Sequence, residues 1–217
     1  MGRFRKEVHC AVPEPLSPMI PGRPAVFFDR DGTLNEEVEF LSAPEQLRLI
    51  PGASEAVRTV NERGFVACVI SNQSGVARGL FPESALVPIH AKLVQELGSR
   101  GAHLDRIYYC PHHPTEGIPP YNVDCACRKP KPGMLRQAEG ELQVDLRRSY
   151  VIGDRLADIL AGRSVGARGI LVLTGYGEIA RQESRAQGVL PDFIAASVSE
   201  AVEFILHESK GALVTHG

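Results

Sequence analysis

The stretch AVFFDRDGTLNEE, Ala25 to Glu37, places two acidic residues directly after four apolar ones. The segment 25–28 has the length and the continuous apolar character of a strand that is buried on both faces. Asp29 follows it immediately, and Asp31 comes two positions later. Functional groups in parallel sheets collect at the carboxyl ends of the strands. We therefore expect Asp29 and Asp31 to lie at the mouth of a sheet rather than in its core.

Further apolar runs of strand length alternate with helical segments along the rest of the chain. The predicted strands are 25–28, 65–70, 107–109, 150–152 and 169–173, and the predicted helices are 53–63, 89–98, 157–165 and 198–206. Pro88 either starts or kinks the second helix. This alternation predicts a Rossmann-like three-layer α/β/α fold with a mostly parallel sheet. The segment 33–52 is short and the segment after Gly75 resembles a single helix, so we expect no large cap domain.

The composition limits the kinds of function that the chain can have. The 217 residues are 43% hydrophobic and 23% charged, as in a globular protein with one main domain, and the net charge of -2 argues against a nucleic-acid partner. No segment approaches the roughly 20 apolar residues that cross a bilayer. We expect a cytoplasmic protein with no membrane contact, and nothing in the sequence indicates an oligomeric state.

Polar and charged residues with complementary chemistry recur at the predicted strand ends. An isolated Asp-Gly pair is usually a surface turn. Here, however, VISNQSG supplies Ser71, CRKPKPG supplies Arg128 and Lys129, and YVIGDRLAD supplies Asp154 and Asp158. Phosphoryl transfer requires a nucleophile, a divalent ion and fixed donors around the phosphate oxygens. The combined set therefore predicts phosphoryl-transfer chemistry.

Four residues have the spacing of a metal site. Cys110 and His112 are followed, after a twelve-residue spacer, by Cys125 and Cys127. Three thiolates and one imidazole suit tetrahedral zinc with no open coordination position, and disulfides are disfavoured in a reducing compartment. His113 competes with His112 for the imidazole role. We expect a structural zinc ion that orients the adjacent cations.

The four motifs DRDGT, SNQSG, RKP and GDRLAD resemble, in order and spacing, those of the haloacid dehalogenase (HAD) superfamily of phosphohydrolases. The resemblance implies that Asp29 attacks phosphorus and that Asp31 carries protons for the leaving alcohol and the hydrolytic water. It implies magnesium bound by Asp29, the backbone carbonyl of Asp31 and Asp154. Ser71 would donate to a phosphoryl oxygen, and Lys129 would balance its charge.

The segments IYYCPHHP, CACRKPKPGM and SNQSGVARG are similar to the zinc-containing D-glycero-D-manno-heptose 1,7-bisphosphate 7-phosphatase family. That likeness implies a small phosphorylated metabolite as partner, most simply a sugar bisphosphate. The substrate-binding residues it implies are Asn72, Gln73, Ser74, Arg128 and Arg155. Arg155 stands where the family often has Lys, and EEVEF, 36–40, departs from the family pattern. A histidinol-phosphate phosphatase, another small phosphomonoester phosphatase and a nonenzymatic zinc-loop binding module remain alternatives.

The chain is expected to divide into three parts. Residues 1–24 form an extended Pro-rich arm, residues 25–210 form a single phosphatase domain that includes the zinc loop 110–127, and residues 211–217 form a C-terminal tail.

Overall fold

The computed structural model describes residues 9–10 and 20–214, with side chains from 20 to 209. Within these residues, seven strands form one sheet in the order β1-β4-β3-β2-β5-β6-β7. The strands are β1 (His9–Cys10), β2 (Ala25–Phe28), β3 (Val66–Asn72), β4 (Arg106–Cys110), β5 (Tyr150–Gly153), β6 (Arg168–Val172) and β7 (Phe193–Ala195). Strands β2 to β7 are parallel, and β1 pairs antiparallel with β4 at one edge. The predicted, mostly parallel sheet is confirmed.

Helices cover both faces of the sheet and complete the three layers. The helices are α1 (Ala53–Glu62), α2 (Ser74–Ala77), α3 (Leu86–Gly98), α4 (Gly133–Leu142), α5 (Leu156–Arg163), α6 (Gly177–Gln187) and α7 (Val198–Val214). Helices α1, α3 and α7 pack on one face, and α4, α5 and α6 pack on the other. The Rossmann-like α/β/α class is confirmed.

The surroundings of strand β2 explain why its sequence is apolar throughout. Val26 and Phe28 belong to the hydrophobic cluster on one face of the sheet, whereas Ala25 and Phe27 belong to the cluster on the other. All four side chains have no solvent exposure. Successive strand side chains point to opposite faces, so a strand covered on both sides must be apolar at every position.

Several element boundaries differ from those predicted. Strand β3 continues to Asn72, so Ser71 and Asn72 lie within the strand rather than after it. Helix α3 begins at Leu86, which puts Pro88 in the first turn, where its missing N–H costs no helical bond. The elements α4, α6 and β7 had no predicted counterpart. Helix α6 has a narrow buried stripe that includes Ala180 and Ser184, which gives a weak apolar signal.

The connections at the mouth of the sheet are short. Residues 29–52 contain one turn of 3-10 helix, Pro44–Gln46, and no larger insertion interrupts the described part of the chain between β2 and α1. In residues 9–10 and 20–214, no helix has the length and hydropathy needed to span a membrane. Most of the expected arm, 1–8 and 11–19, lies outside the described residues, as does 215–217. Residues 211–214, expected in the tail, continue α7.

Candidate active site

Three adjacent strands bring three predicted site residues together. Strand β2 lies between β3 and β5, with Asp29 directly after β2 and Asp154 directly after β5. Ser71 is the penultimate residue of β3. Carboxylate oxygens of Asp29, Asp154 and Asp158 lie within 4.8 Å of one another. The carboxyl ends of the central strands thus hold a compact acidic group beside a serine hydroxyl.

Lys129 lies buried against this acidic group. Its ammonium contacts Oδ1 of Asp29 at 3.0 Å and Oδ1 of Asp158 at 2.5 Å, and it donates to the Ile70 carbonyl at 2.8 Å. Burial alone would lower the pKa of Lys129, but the two carboxylates outweigh burial and raise the pKa. Lys129 therefore stays charged. Asp158 was predicted, with Asp154, as part of this polar set, but without a role of its own.

Asp154 has a carboxylate oxygen that no described residue satisfies. Its Oδ2 accepts a hydrogen bond from the Tyr176 backbone N–H at 2.8 Å, whereas its buried Oδ1 accepts none. Burial, followed by the charges of Asp29 and Asp158, raises the pKa of Asp154 to about 8. Burial is also the largest influence that raises the pKa of Asp29 to about 7. An unsatisfied acceptor beside two other carboxylates fits a hard cation, which would offset both desolvation and mutual repulsion.

Asp31 is held by a buried arginine that sequence reasoning missed. Arg30 has no solvent exposure, and its guanidinium donates to both carboxylate oxygens of Asp31 at 2.7 to 3.1 Å. It also contacts His90 Nε2 at 3.3 Å and donates to Gln73 Oε1 at 3.1 Å. Burial alone would raise the pKa of Asp31, but Arg30 and two side-chain hydrogen bonds outweigh burial and lower the pKa. The geometry therefore presents Asp31 as an ionised carboxylate.

The side chains of the SNQS segment have different surroundings. Gln73 Nε2 donates to Asp31 Oδ2 at 2.9 Å and to Ser71 Oγ at 2.7 Å. The Ser71 hydroxyl is the acceptor there, so its hydrogen can serve another acceptor. Asn72 Oδ1 accepts from the Lys129 backbone N–H at 3.0 Å, and its Nδ2 donates to the Lys129 carbonyl at 3.1 Å. Gln73 and Asn72 thus position their neighbours.

A second cluster lies where β4 meets the loop that leads to Lys129. The sulfur atoms of Cys110, Cys125 and Cys127 are 3.0 to 3.3 Å apart, and His112 Nδ1 lies 3.6 and 3.8 Å from two of them. His113 Nδ1 instead accepts hydrogen bonds from the loop backbone at 3.0 and 3.4 Å. The structure therefore brings His112, and not His113, to the sulfurs.

The chemistry of this donor set fits a tetrahedral metal ion. Hydrogen bonds among the sulfurs raise the pKa of Cys110 and lower that of Cys125, so the three sulfurs compete for protons. A bound cation would favour the thiolate form of all three. Four protein ligands would fill the coordination sphere and leave no position for a reactive water.

A cavity of about 300 Å³ opens over the acidic group. The predicted residues in its wall are Asp29, Asp31, Ser71, Asn72, Gln73, Ser74, Arg128, Lys129 and Arg155. Asp154 does not line the cavity, because it is fully buried. The cavity therefore gathers the predicted phosphate-handling and substrate residues, while Asp154 remains inside.

Three guanidiniums line the cavity, and one of them, Arg78, was not predicted. Arg128 donates to the backbone carbonyl of His112 at 3.2 Å. The guanidinium of Arg155 lies 3.8 Å from the centroid of the Tyr176 ring. Burial is the largest influence that lowers the pKa of Arg128; Cys110 and Cys125 oppose this shift, and the positive charges of Arg78 and Arg155 add to it. The cavity wall thus combines these guanidiniums, which an anionic ligand could contact, with the carboxylates of the acidic group.

Comparisons with known proteins place the chain in a family. A HAD-hydrolase-like family model matches residues 126–201. The D-glycero-D-manno-heptose-1,7-bisphosphate 7-phosphatase of Thermosynechococcus vestitus is 42% identical over 187 residues, which cover 84% of this chain and 95% of the relative. The D-glycero-beta-D-manno-heptose-1,7-bisphosphate 7-phosphatase of Yersinia pestis is 40% identical over 169 residues, 77% of this chain and 89% of the relative.

The chain belongs to the heptose-1,7-bisphosphate 7-phosphatase family.

A solved structure from the heptose-bisphosphate phosphatase family supports the same assignment. The D,D-heptose 1,7-bisphosphate phosphatase of B. bronchiseptica, crystallised with magnesium and phosphate, superposes with a TM-score of 0.75 at 34% identity, over 85% of this chain and 99% of that one. The resemblance identified from the four motifs is confirmed. As a member of this phosphatase family, the chain is an enzyme, a phosphoric monoester hydrolase. The alternative of a nonenzymatic binding module is excluded.

In this family member, two glycines make room for Asp154. Gly32 and Gly175 have φ values of +78° and +55°, and a Cβ added at either would lie 2.1 or 2.2 Å from Asp154 Oδ2. These contacts are far shorter than van der Waals distance. Side chains larger than hydrogen would therefore displace the carboxylate.

Gly32→Ala is expected to remove magnesium-induced thermal stabilisation, because the new methyl group displaces Asp154. Gly64→Ala is the matched control, since Gly64 has φ of +77° and a Cβ there would meet nothing within 4 Å. The left-handed backbone should cost either variant about 1–2 kcal/mol of unfolding free energy. Thermal melts with and without magnesium separate the two effects. Equal magnesium responses in both variants would show that Gly32 does not position Asp154.

Proposed function

We propose that this chain removes the 7-phosphate of D-glycero-D-manno-heptose 1,7-bisphosphate through a phosphorylated Asp29. The observation that carries the proposal is the contact between Lys129 and Asp29 at 3.0 Å, at the floor of a cavity lined by three arginines. A carboxylate nucleophile beside a fixed cation suits a phosphoryl group, and the additional guanidiniums suit a second phosphate. The names of the relatives support the sugar.

In the first step, an Asp29 oxygen forms a bond to phosphorus while the bond between phosphorus and the sugar oxygen breaks. Asp31 gives its proton to the departing alkoxide, which leaves as the alcohol. Ser71 donates its free hydrogen to a phosphoryl oxygen, and Lys129 balances the charge. In the second step, Asp31 takes a proton from water as the water attacks phosphorus, which releases Asp29 and inorganic phosphate.

The ion pair between Arg30 and Asp31 affects both proposed roles of Asp31, as proton donor in the first step and proton acceptor in the second. An ionised Asp31 is the form required for the second step, and Arg30 favours it. The first step requires a protonated Asp31, so this ion pair has to loosen when substrate occupies the cavity. Gln73, which also donates to Asp31, lies between the ion pair and Ser71.

We propose Mg²⁺ and Zn²⁺ as the two cofactors. Asp29, the backbone carbonyl of Asp31 and Asp154 would hold magnesium, in agreement with the unsatisfied Oδ1 of Asp154. Magnesium would supply neutralising charge for the phosphoryl oxygens. Cys110, His112, Cys125 and Cys127 would hold zinc, which would stiffen the loop that ends in the neighbouring cations.

The remaining predicted residues would bind the sugar bisphosphate. Arg128 and Arg155 have exposed guanidinium surface in the cavity, and Ser74 lies at the start of α2. Asn72 and Gln73 would act mainly through the contacts that hold Lys129 and Asp31. A cytoplasmic location, which keeps the zinc-site thiols reduced, completes the proposal.

Phosphate release tests the proposed substrate. We expect a larger kcat/KM in magnesium for D-glycero-D-manno-heptose 1,7-bisphosphate than for histidinol phosphate, because only the bisphosphate can use the additional guanidiniums. A larger kcat/KM for histidinol phosphate would favour the alternative phosphatase function and contradict the proposal.

Magnesium should stabilise the protein more at high pH than at low pH. Asp29 and Asp154 have pKa values of about 7 and about 8, above the ordinary 3.8. The stability that their protonated forms contribute is therefore fully present only below pH 3.8 and is lost progressively as pH rises to 7 and 8. Magnesium competes with these protons. Thermal melts at about pH 6 and about pH 8.5 should therefore show a larger magnesium-induced rise in Tm at the higher pH. A pH-independent rise, or one retained by Asp154→Asn, would contradict this site.

A further inference from the structure

We propose that Arg78 is a specificity-determining residue whose guanidinium, with that of Arg128, binds the substrate phosphate that is not transferred. We further propose that Glu116 competes with that phosphate for Arg78. The inference rests on the proposed bisphosphatase function and assigns a residue to it.

Arg78 occupies a suitable position for this role. It directly follows α2, and its side chain lines the same cavity as Asp29 and Lys129. The guanidinium carbon lies 5.7 Å from the centroid of the Phe40 ring, and the side chain is 34% exposed. Phe40 thus supports one side of a guanidinium that solvent, and therefore a ligand, can still reach.

The other cations of the cavity are engaged to different degrees. Lys129 already contacts two carboxylates and a carbonyl, so its charge serves the reacting end of the cavity. Arg155 lies 3.5 Å from Glu37 and stacks on Tyr176. Arg128 donates to a backbone carbonyl and has no carboxylate partner within the described residues. A phosphate dianion has enough acceptor oxygens for two guanidiniums, and Arg78, which lines the same cavity, is the candidate to join Arg128.

Glu116 is the carboxylate partner with which a phosphate would compete for Arg78. It forms an ion pair with Arg78 from the loop 110–127, and its own side chain is 54% exposed. The loop is fixed beside α2 because the Ile118 backbone N–H donates to the Ala77 carbonyl at 2.7 Å. An exposed ion pair of this kind is weak, so a phosphate can displace Glu116. Removing the Glu116 charge should therefore strengthen phosphate binding, the opposite of removing Arg78.

Paired substrates test the proposal. KM is measured for heptose 1,7-bisphosphate and for heptose 7-phosphate, which lacks the second phosphate. Arg78→Met should raise KM about tenfold for the bisphosphate, as expected for one charge-assisted contact, and less than about threefold for the monophosphate. Glu116→Gln should lower KM for the bisphosphate about twofold to threefold. Arg136→Met is the matched control, since Arg136 is an exposed, ion-paired arginine on α4 and should change neither value.

Two results would overturn the proposal. In the first, Arg78→Met raises KM for both substrates by the same factor. In the second, Glu116→Gln raises KM for the bisphosphate, as Arg78→Met does. The second result would mean that the ion pair only anchors the loop.

The test also works if the sugar assignment fails. If the wild-type protein releases no phosphate from heptose 1,7-bisphosphate, the proposed function is wrong. Inhibition constants of fructose 1,6-bisphosphate and fructose 6-phosphate, measured against hydrolysis of an aryl phosphate, then replace KM. Arg78→Met should weaken only the bisphosphate inhibitor, and equal weakening of both would refute the role of Arg78.

Discussion

Replacing Asp29 by Asn is expected to lower turnover by at least about ten thousandfold, as loss of an attacking group does in other enzymes. The amide of Asn is a poor nucleophile, so no phosphorylated protein should form. The side chain keeps its shape, and the fold should survive. Rapid acid quenching followed by mass spectrometry of the intact protein measures the phosphorylated fraction, and steady-state phosphate release measures turnover.

Asp31→Asn provides the internal comparison. It removes proton transfer rather than the nucleophile, so we expect a loss of about a hundredfold to ten thousandfold, with magnesium binding retained through the backbone carbonyl. Asp145→Asn is the neutral control, since Asn can also accept the hydrogen bond that Asp145 receives from the Arg147 backbone N–H at 3.0 Å. Near-normal turnover in both Asp29→Asn and Asp31→Asn would refute the assigned roles.

Loss of zinc is expected to lower turnover by about a hundredfold through misplacement of Arg128 and Lys129, because about 1 Å of displacement can have that effect. Cys127 lies directly before these two cations, and the Gly133 backbone N–H donates to the Ala126 carbonyl at 2.9 Å, which joins the cluster to the start of α4. Cys127→Ser should bind less zinc, become more protease-sensitive in this loop and still require magnesium for its remaining activity.

Cys68→Ser separates this effect from the general cost of placing a hydroxyl in the core. Cys68 is as buried as Cys110 but lies outside the cluster. The Cys68→Ser variant should have a lower free energy of unfolding than the wild-type protein but should bind as much zinc. Removal of zinc with activity unchanged would contradict the positioning role. Activity with zinc alone, in the absence of magnesium and with Asp154 replaced, would make zinc the catalytic ion.

The sheet could be predicted because the hydrophobic patterns that indicate its strands and helices lie within short, continuous segments of the sequence. Central strands covered by helices on both faces must be apolar at successive positions, as Val26 and Phe27 illustrate. Helix α1 was recognisable from its apolar spacing and the glycine after it. Helix α6 and the three-residue β7 were missed because a mostly exposed helix and a very short strand bury too few side chains to produce such a pattern.

The parts of the site that were missed depend on contacts between distant elements. The sequence places Arg30 beside Asp31, but its complete burial follows from contacts with Gln73 after β3 and His90 on α3. Similarly, nothing in the sequence indicated that Asn72, which lines the cavity, also holds the Lys129 backbone 57 residues away through its amide. Spacing could not choose between His112 and His113, because the path of the loop decides which imidazole reaches the sulfurs.

The central claim is that Asp29 accepts the phosphoryl group from carbon 7 of the heptose. The most direct measurement uses heptose 1,7-bisphosphate radiolabelled only at the 7-phosphate, mixed with the wild-type protein in magnesium and quenched in acid within one turnover. We predict that the label appears on the peptide that contains Asp29 and that unlabelled heptose 1-phosphate is released. Label on a different residue, no labelled protein at any quench time, or a released sugar that keeps the labelled phosphate would contradict the claim.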